Sequence, residues 1–135
     1  MASGELGLEN LRRALDGFGA LLDVALTDYD DVVRDGIQNG QIQKFEYCAE
    51  LFWKYLRSRM LDEGIDAPNS PRGTIKAALA AGFIPDGAYA AALQVIDDRN
   101  TCSHVYRQAA IPDILVRLPA HLRTMRMIVG RLPGA

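Results

Sequence analysis

The sequence predicts an all-α protein, an up-and-down bundle of four or five helices. Three observations lead there. Apolar residues recur at steps of three and four through almost the whole chain, the period of a helix with one buried face. No segment alternates apolar and polar residues as a half-buried strand does. At 135 residues, the chain has the length of one domain, read here as a single helical unit over 1–135 with its core at about 8–132.

The elements follow in order. Leu8, Leu11, Leu15, Phe18, Leu22 and Leu26 form one stripe, which predicts a first helix from about Leu8 to Thr27. Gly17 and Gly19 lie inside it, each costing about 1 kcal/mol against alanine unless a close helix contact requires them. Asp28-Tyr29-Asp30-Asp31 reads as a turn rich in N-cap residues. A short helix from Asp31 to about Gly36 is expected next, then a turn at Asn39-Gly40. Ile42, Phe45, Ala49, Phe52 and Leu56 mark a second long helix, about Gln41 to Glu63, stopped by Gly64. Its aromatic residues, Tyr47, Phe52, Trp53 and Tyr55, fall on several faces, as expected of a helix buried on more than one side.

Asp66 to Gly73 is loop-like. Ser70-Pro71 is a cap followed by a first-turn proline, opening a helix to about Ala81 with Ile75, Ala78 and Leu79 inward. Gly82 ends it, and Pro85-Asp86-Gly87 starts the next, which carries Tyr89, Leu93 and Ile96 and runs to about Asn100. The last helix begins at Ile111-Pro112, with Ile111, Ile114, Leu115, Leu118, Leu122, Met125 and Val129 as its stripe. Pro119 falls within that stripe and should kink it near Leu118.

Charge is distributed unevenly. The net value is −2, which argues against a protein that coats nucleic acid nonspecifically. Residues 1–35 hold eight acids and three bases, whereas 105–135 hold five arginines and one acid. The start is therefore acidic and the end basic. Cys48 and Cys102 are far apart and lack metal-ligand spacing, so two buried reduced thiols are expected. No signal peptide or membrane-spanning run is recognised, and a cytoplasmic location is expected. No metal and no cofactor are expected, because no zinc-type cluster or phosphate-binding glycine loop is present.

Two histidines remain as candidates for chemistry. His121, beside Leu122 in the arginine-rich last helix, reads as a surface or boundary residue. His104 lies in Asp97-Asp98-Arg99-Asn100-Thr101-Cys102-Ser103-His104-Val105-Tyr106. On composition this is a helix end, since Asn, Thr and Ser bond their own backbone. The same segment also gathers a phosphate-binding guanidinium, Arg99, with a group able to move a proton near neutral pH, His104. Those two suffice in kind for RNA cleavage without a metal. In an unbroken helix the five-residue step places them roughly 140° apart. Convergence requires a break near Thr101-Cys102-Ser103 or a second subunit.

Arg99, four residues, His104, one residue, Tyr106 resembles the signature of the HEPN superfamily of small helical ribonucleases. The context Asp98-Arg99-Asn100 to Ser103-His104-Val105-Tyr106 looks like the branch encoded beside a minimal nucleotidyltransferase. Ile42-Gln43-Lys44-Phe45-Glu46-Tyr47, with Glu50-Leu51 and Trp53-Lys54, is similar to that branch's second helix, and the stretch from Arg72 to Phe83 to its third. The resemblance covers about Leu8 to Leu132. Cys102 stands where the branch more often has a hydroxyl or apolar residue.

The resemblance implies a homodimer whose Arg/His pairs face each other. It implies a metal-independent ribonuclease toxin acting on RNA, such as tRNA, and not on DNA or at a membrane. A nucleotidyltransferase antitoxin would silence it by attaching AMP to a tyrosine. By motif position Arg99 and His104 would be catalytic, Asn100 a polar support and Tyr106 the modification target. The same branch is also described as substrate-binding subunits of the nucleotidyltransferase, and on that view the chain catalyses nothing. Lys44 and Lys54 could line an RNA path and the five late arginines could flank the cleft, but a solvated helix face accounts for them equally well.

Overall fold

The computed structural model describes the backbone of residues 2–104 and 107–132 and the side chains of 7–104 and 108–132. Five α-helices make up the described chain: α1 (Ala2–Leu22), α2 (Asp31–Asp62), α3 (Pro71–Ala80), α4 (Tyr89–Cys102) and α5 (Ile111–Arg131), with short 3-10 turns at Leu26–Asp28, Asp86–Ala88 and Arg107–Ala109. No strand occurs among the described residues. The helical-bundle expectation holds.

The first correction concerns α2. It is one helix of 32 residues, where the sequence suggested a short helix, a turn at Asn39-Gly40 and a second helix. Asp30 caps it, its carboxylate accepting from the Val33 N–H at 2.9 Å. The chain stays helical through Asn39-Gly40 because tertiary packing outweighs the local turn preference. The Gln41 side-chain amide donates to the Leu21 carbonyl at 3.2 Å, which also accepts from the Val24 N–H at 3.4 Å, so side chain and backbone together satisfy this carbonyl at the end of α1. A Cβ at position 40 would stand 3.3 Å from the Leu21 side chain. Gly40 thus lets the end of α1 pack closely against α2.

The first helix also ends earlier than expected, at Leu22, with Leu26 in a separate 3-10 turn. Its two glycines differ in role. A Cβ at Gly19 would come within 3.1 Å of the Arg126 guanidinium and 3.3 Å of Leu122, whereas one at Gly17 would meet only the Lys44 Nζ at an ordinary 3.6 Å. Gly19 therefore serves the close approach of α1 to α5.

α2 packs against all four other helices. Phe45, Phe52, Leu56 and Met60 are fully buried along it, and Trp53 and Tyr55 nearly so, while Tyr47 is 59% exposed. Around it lie Leu11, Leu15 and Phe18 of α1, Ile75 and Ala78 of α3, Ile96 of α4, and Ile114, Leu118, Met125 and Val129 of α5. Most of each expected stripe is buried, but Leu22, Leu26, Leu79, Ile111 and Leu115 are only half-buried, and α4 buries Ala92, Val95 and Ile96 where the sequence suggested Tyr89, Leu93 and Ile96. α3 opens as the sequence indicates, with Ser70 Oγ accepting from the Gly73 N–H at 3.2 Å and Pro71 in the first turn. α5 continues as one helix across Pro119.

Candidate functional site

The last turn of α4 carries most of the polar side chains that the sequence singles out. Arg99 reaches back to α2, its Nη2 2.9 Å from Glu50 Oε2. Glu50 also accepts from Trp53 Nε1 at 3.1 Å and pairs with Lys54 Nζ at 3.2 Å. The i, i+3 and i, i+4 spacing on α2 puts Trp53 and Lys54 beside that carboxylate. Burial pushes the Glu50 pKa upward, but the bonds from Trp53 and Lys54 and the Arg99 charge outweigh it, so the group sits below its usual value. Glu50 is thus an anionic clamp for the Arg99 guanidinium.

Asn100 Oδ1 lies 3.4 Å from Arg99 Nη1. Arg99 Nε is buried with no hydrogen-bond partner among the described residues, an arrangement that leaves a costly donor unsatisfied. α4 ends at Cys102, and Ser103 is its C-cap. The hydroxyls of Thr101 and Ser103 bond back to the Asp97 and Arg99 carbonyls at 3.0 and 3.3 Å. This is the local competition that weakens a helix end. His104 follows, exposed, its backbone N–H donating to the Thr101 carbonyl at 3.1 Å.

Thus Arg99 turns toward α2 and His104 toward solvent. No hydrogen bond or ion pair joins the two among the described residues. The helix break expected near Thr101–Ser103 is present, but it does not bring the pair together within one chain. Tyr106 lies outside the described residues. No group of three or more His, Cys, Asp or Glu side chains among the described residues is placed to hold a metal ion.

His121 requires the second correction. It is 3% exposed, not a surface or boundary residue. Its ring stacks on Phe45, centroids 5.1 Å apart, and its Nε2 lies 2.6 Å from Asp98 Oδ2. Asp98, also 3% exposed, accepts a two-pronged pair from Arg117, Nε to Oδ2 and Nη2 to Oδ1, each 2.8 Å. Gln94 Nε2 adds a bond at 2.9 Å. Burial alone would raise the Asp98 pKa, yet the bonds from His121, Arg117 and Gln94 hold it far below the carboxylate range. This network joins α4 to α5 immediately beside Arg99. A signal existed in the sequence: Gln94/Asp98 and Arg117/His121 are both i, i+4 pairs on helices destined to face each other. Arg117 and Arg126 are likewise not simply solvated surface, since Arg126 reaches Asp16 of α1 at 3.1 Å.

The concavities shaped by the described residues include three of note. One of about 650 Å³ lies between α2 and the start of α5, lined by Asp35, Asn39, Gln43 and Gln108 with Ile42, Ile111 and Pro112. One of about 360 Å³ lies beside Trp53, Lys54 and Arg57. One of about 230 Å³ is lined by Arg12, Leu15 and Asp16 of α1 and by Arg126, Val129 and Gly130 of α5. No helix among the described residues is long and apolar enough to cross a membrane.

Comparison with known proteins adds the family. No curated protein matches the chain. Among solved structures, the chain is similar to a protein of Thermus thermophilus known from its crystal structure. The two share 32% sequence identity, with 91% of this chain and 98% of that one covered and a TM-score of 0.76. The sequence profile of the family described as nucleotidyltransferase substrate binding protein like matches residues 6–132, and the chain belongs to that family.

Proposed function

We propose that this chain is the helical, substrate-binding subunit of a two-component nucleotidyltransferase and that the transfer chemistry belongs to its partner. The observation that supports it most is the family match over nearly the whole chain. The geometry agrees, because Arg99 is held by Glu50 as a fixed donor and is not paired with His104. On this reading the end of α4 is a recognition surface, with Asn100 supporting Arg99. The test is co-expression with a nucleotidyltransferase encoded beside this chain. A stable complex that survives His104→Ala is expected. A chain that never forms a complex with such an enzyme would remove the proposal.

A second reading is a metal-independent ribonuclease toxin of the HEPN kind. It is favoured by the exposed His104 next to an Arg99 whose Nε lacks a partner. Both groups are then half-sites completed by a second copy across a two-fold axis. Adenylylation of Tyr106 by the partner enzyme would place a bulky anion beside a site built for RNA phosphate. Incubation with total tRNA in EDTA discriminates between the readings. Cleavage by the wild type that is lost in both His104→Ala and Arg99→Ala selects the nuclease, whereas no cleavage by any of the three selects the subunit.

A further inference from the structure

The concavity at the far end of the Glu50 clamp has a chemistry of its own. It lies where α2 passes the loop leading into α3, with a volume of about 360 Å³, in the range of small-ligand sites. Lys54, Arg57, Ser58 and Asn69 line it, with Trp53, Leu61 and a single acid, Asp62. Arg57 is fixed at its root, its Nε donating to the Ala67 carbonyl at 3.3 Å. Its two Nη groups take part in none of the hydrogen bonds or ion pairs among the described residues. Lys54 is held at the rim by Glu50 at 3.2 Å and lies 5.9 Å over the Trp53 ring. Ser58 and Asn69 are exposed there.

The balance of these groups specifies the ligand class. Two cations, a hydroxyl and an amide face one carboxylate, so donors outnumber acceptors. A planar guanidinium anchored at Nε with both Nη groups free matches the oxygens of a phosphate. A cationic ligand would be repelled by Lys54 and Arg57, and a neutral one would leave their charge uncompensated. Leu61, 44% exposed, and Trp53 supply an apolar wall, as a nucleoside requires.

We infer that this α2–α3 cleft is a phosphate-binding site for a nucleotide, with Arg57 its principal ligand and Lys54 and Ser58 assisting. The nucleotide identity rests on the substrate-binding reading above, while the oxyanion chemistry rests on the cleft itself. The phosphate has two possible sources, a free nucleotide and an RNA backbone. Through Glu50, which bonds both Lys54 and Arg99, the cleft is joined to the end of α4. The seven-residue step along α2 from Glu50 to Arg57 spans about 10 Å, a distance over which a phosphate chain or a short strand can touch both places.

Calorimetric titration of the full chain with ATP and with a short single-stranded RNA tests this, with inorganic phosphate as competitor. At least one of the two should bind, more weakly as salt rises, and phosphate should displace it. Arg57→Ala should weaken binding about tenfold. Ser58→Asp, at an exposed helical position where the fold tolerates a charge, should abolish it, and circular dichroism confirms that each variant is folded. ATP binding identifies a free nucleotide as the source, and binding of RNA alone identifies the backbone. The inference is overturned if neither probe binds, or if binding is lost in Arg99→Ala and unchanged in Arg57→Ala and Ser58→Asp. Failure of the nucleotidyltransferase complex, with nucleotide binding intact, would count against the subunit reading and leave the cleft standing.

Discussion

Asp98 is the residue on which most of the buried electrostatics converge. It receives bonds from Arg117, His121 and Gln94, and removing it would leave a guanidinium arm and an imidazole facing an apolar void. Asp98→Ala should cost about 3 kcal/mol, read as a lower urea midpoint with unchanged slope. The same carboxylate carries a pH dependence. Its folded pKa is depressed, so its contribution is fully present above the unfolded value of about 3.9 and is lost as pH falls below it. Unfolding free energy should therefore fall with acidification below about pH 4 in the wild type and fall less in Asp98→Asn. Cys48 gives a second residue-scale test. Burial pushes its thiol up to about 12, against smaller opposing effects from Lys44 and Arg126, so at neutral pH it is a buried, protonated thiol. Native protein should react with a disulfide reagent at Cys48 only as fast as it opens, and denatured protein within the mixing time.

Among the elements, α2 shows what was and was not legible in the sequence. Its apolar positions, Ile42, Phe45, Phe52 and Leu56, were readable by period alone, because a helix buries what repeats on its face. Its continuity was not, because Asn39-Gly40 carries a strong local turn signal whose override comes from Leu21, eighteen residues earlier in the chain. At the candidate site, Arg99 and His104 were legible by motif. Glu50 as the clamp for Arg99, and Asp98 as the hub beside it, depend on which helix faces which, and spacing within one helix does not encode that. The glycines offer an element-scale prediction. Gly36 lies in α2, and a Cβ there would meet open space, whereas one at Gly73 would come within 2.5 Å of Pro68 and Ser70. Gly36→Ala should stabilise the protein by about 1 kcal/mol. Gly73→Ala should destabilise it by disturbing the Ser70 cap. Parallel thermal melts would show the two midpoints moving in opposite directions.

For the whole molecule, the near-neutral net charge hides a division of labour. The acidic start is partly spent on caps and pairs, such as Asp30 on α2 and Asp31 with Arg34. Part of the basic end is spent too, with Arg117 on Asp98 and Arg126 on Asp16. Opposite charges at the two ends of the sequence are thereby brought into contact by the fold, and bulk charge says little about a ligand. On the proposed reading, recognition is local, at the end of α4 and in the α2–α3 cleft, which are linked through Glu50.

The central place of α2 also bears on how the chain acquires its structure. Every other helix rests on it, so loss of α2 removes a support of all the rest. Equilibrium unfolding of such an arrangement is a single cooperative transition. During synthesis the order is fixed differently. α2 is complete at Asp62, well before Asp98 has been made and longer still before Arg117 and His121. The emerging chain can lay α1 along α2 early, but the polar lock between α4 and α5 closes only after the C-terminal helix has left the ribosome. Arg99, one residue from that lock, takes its final setting among the last.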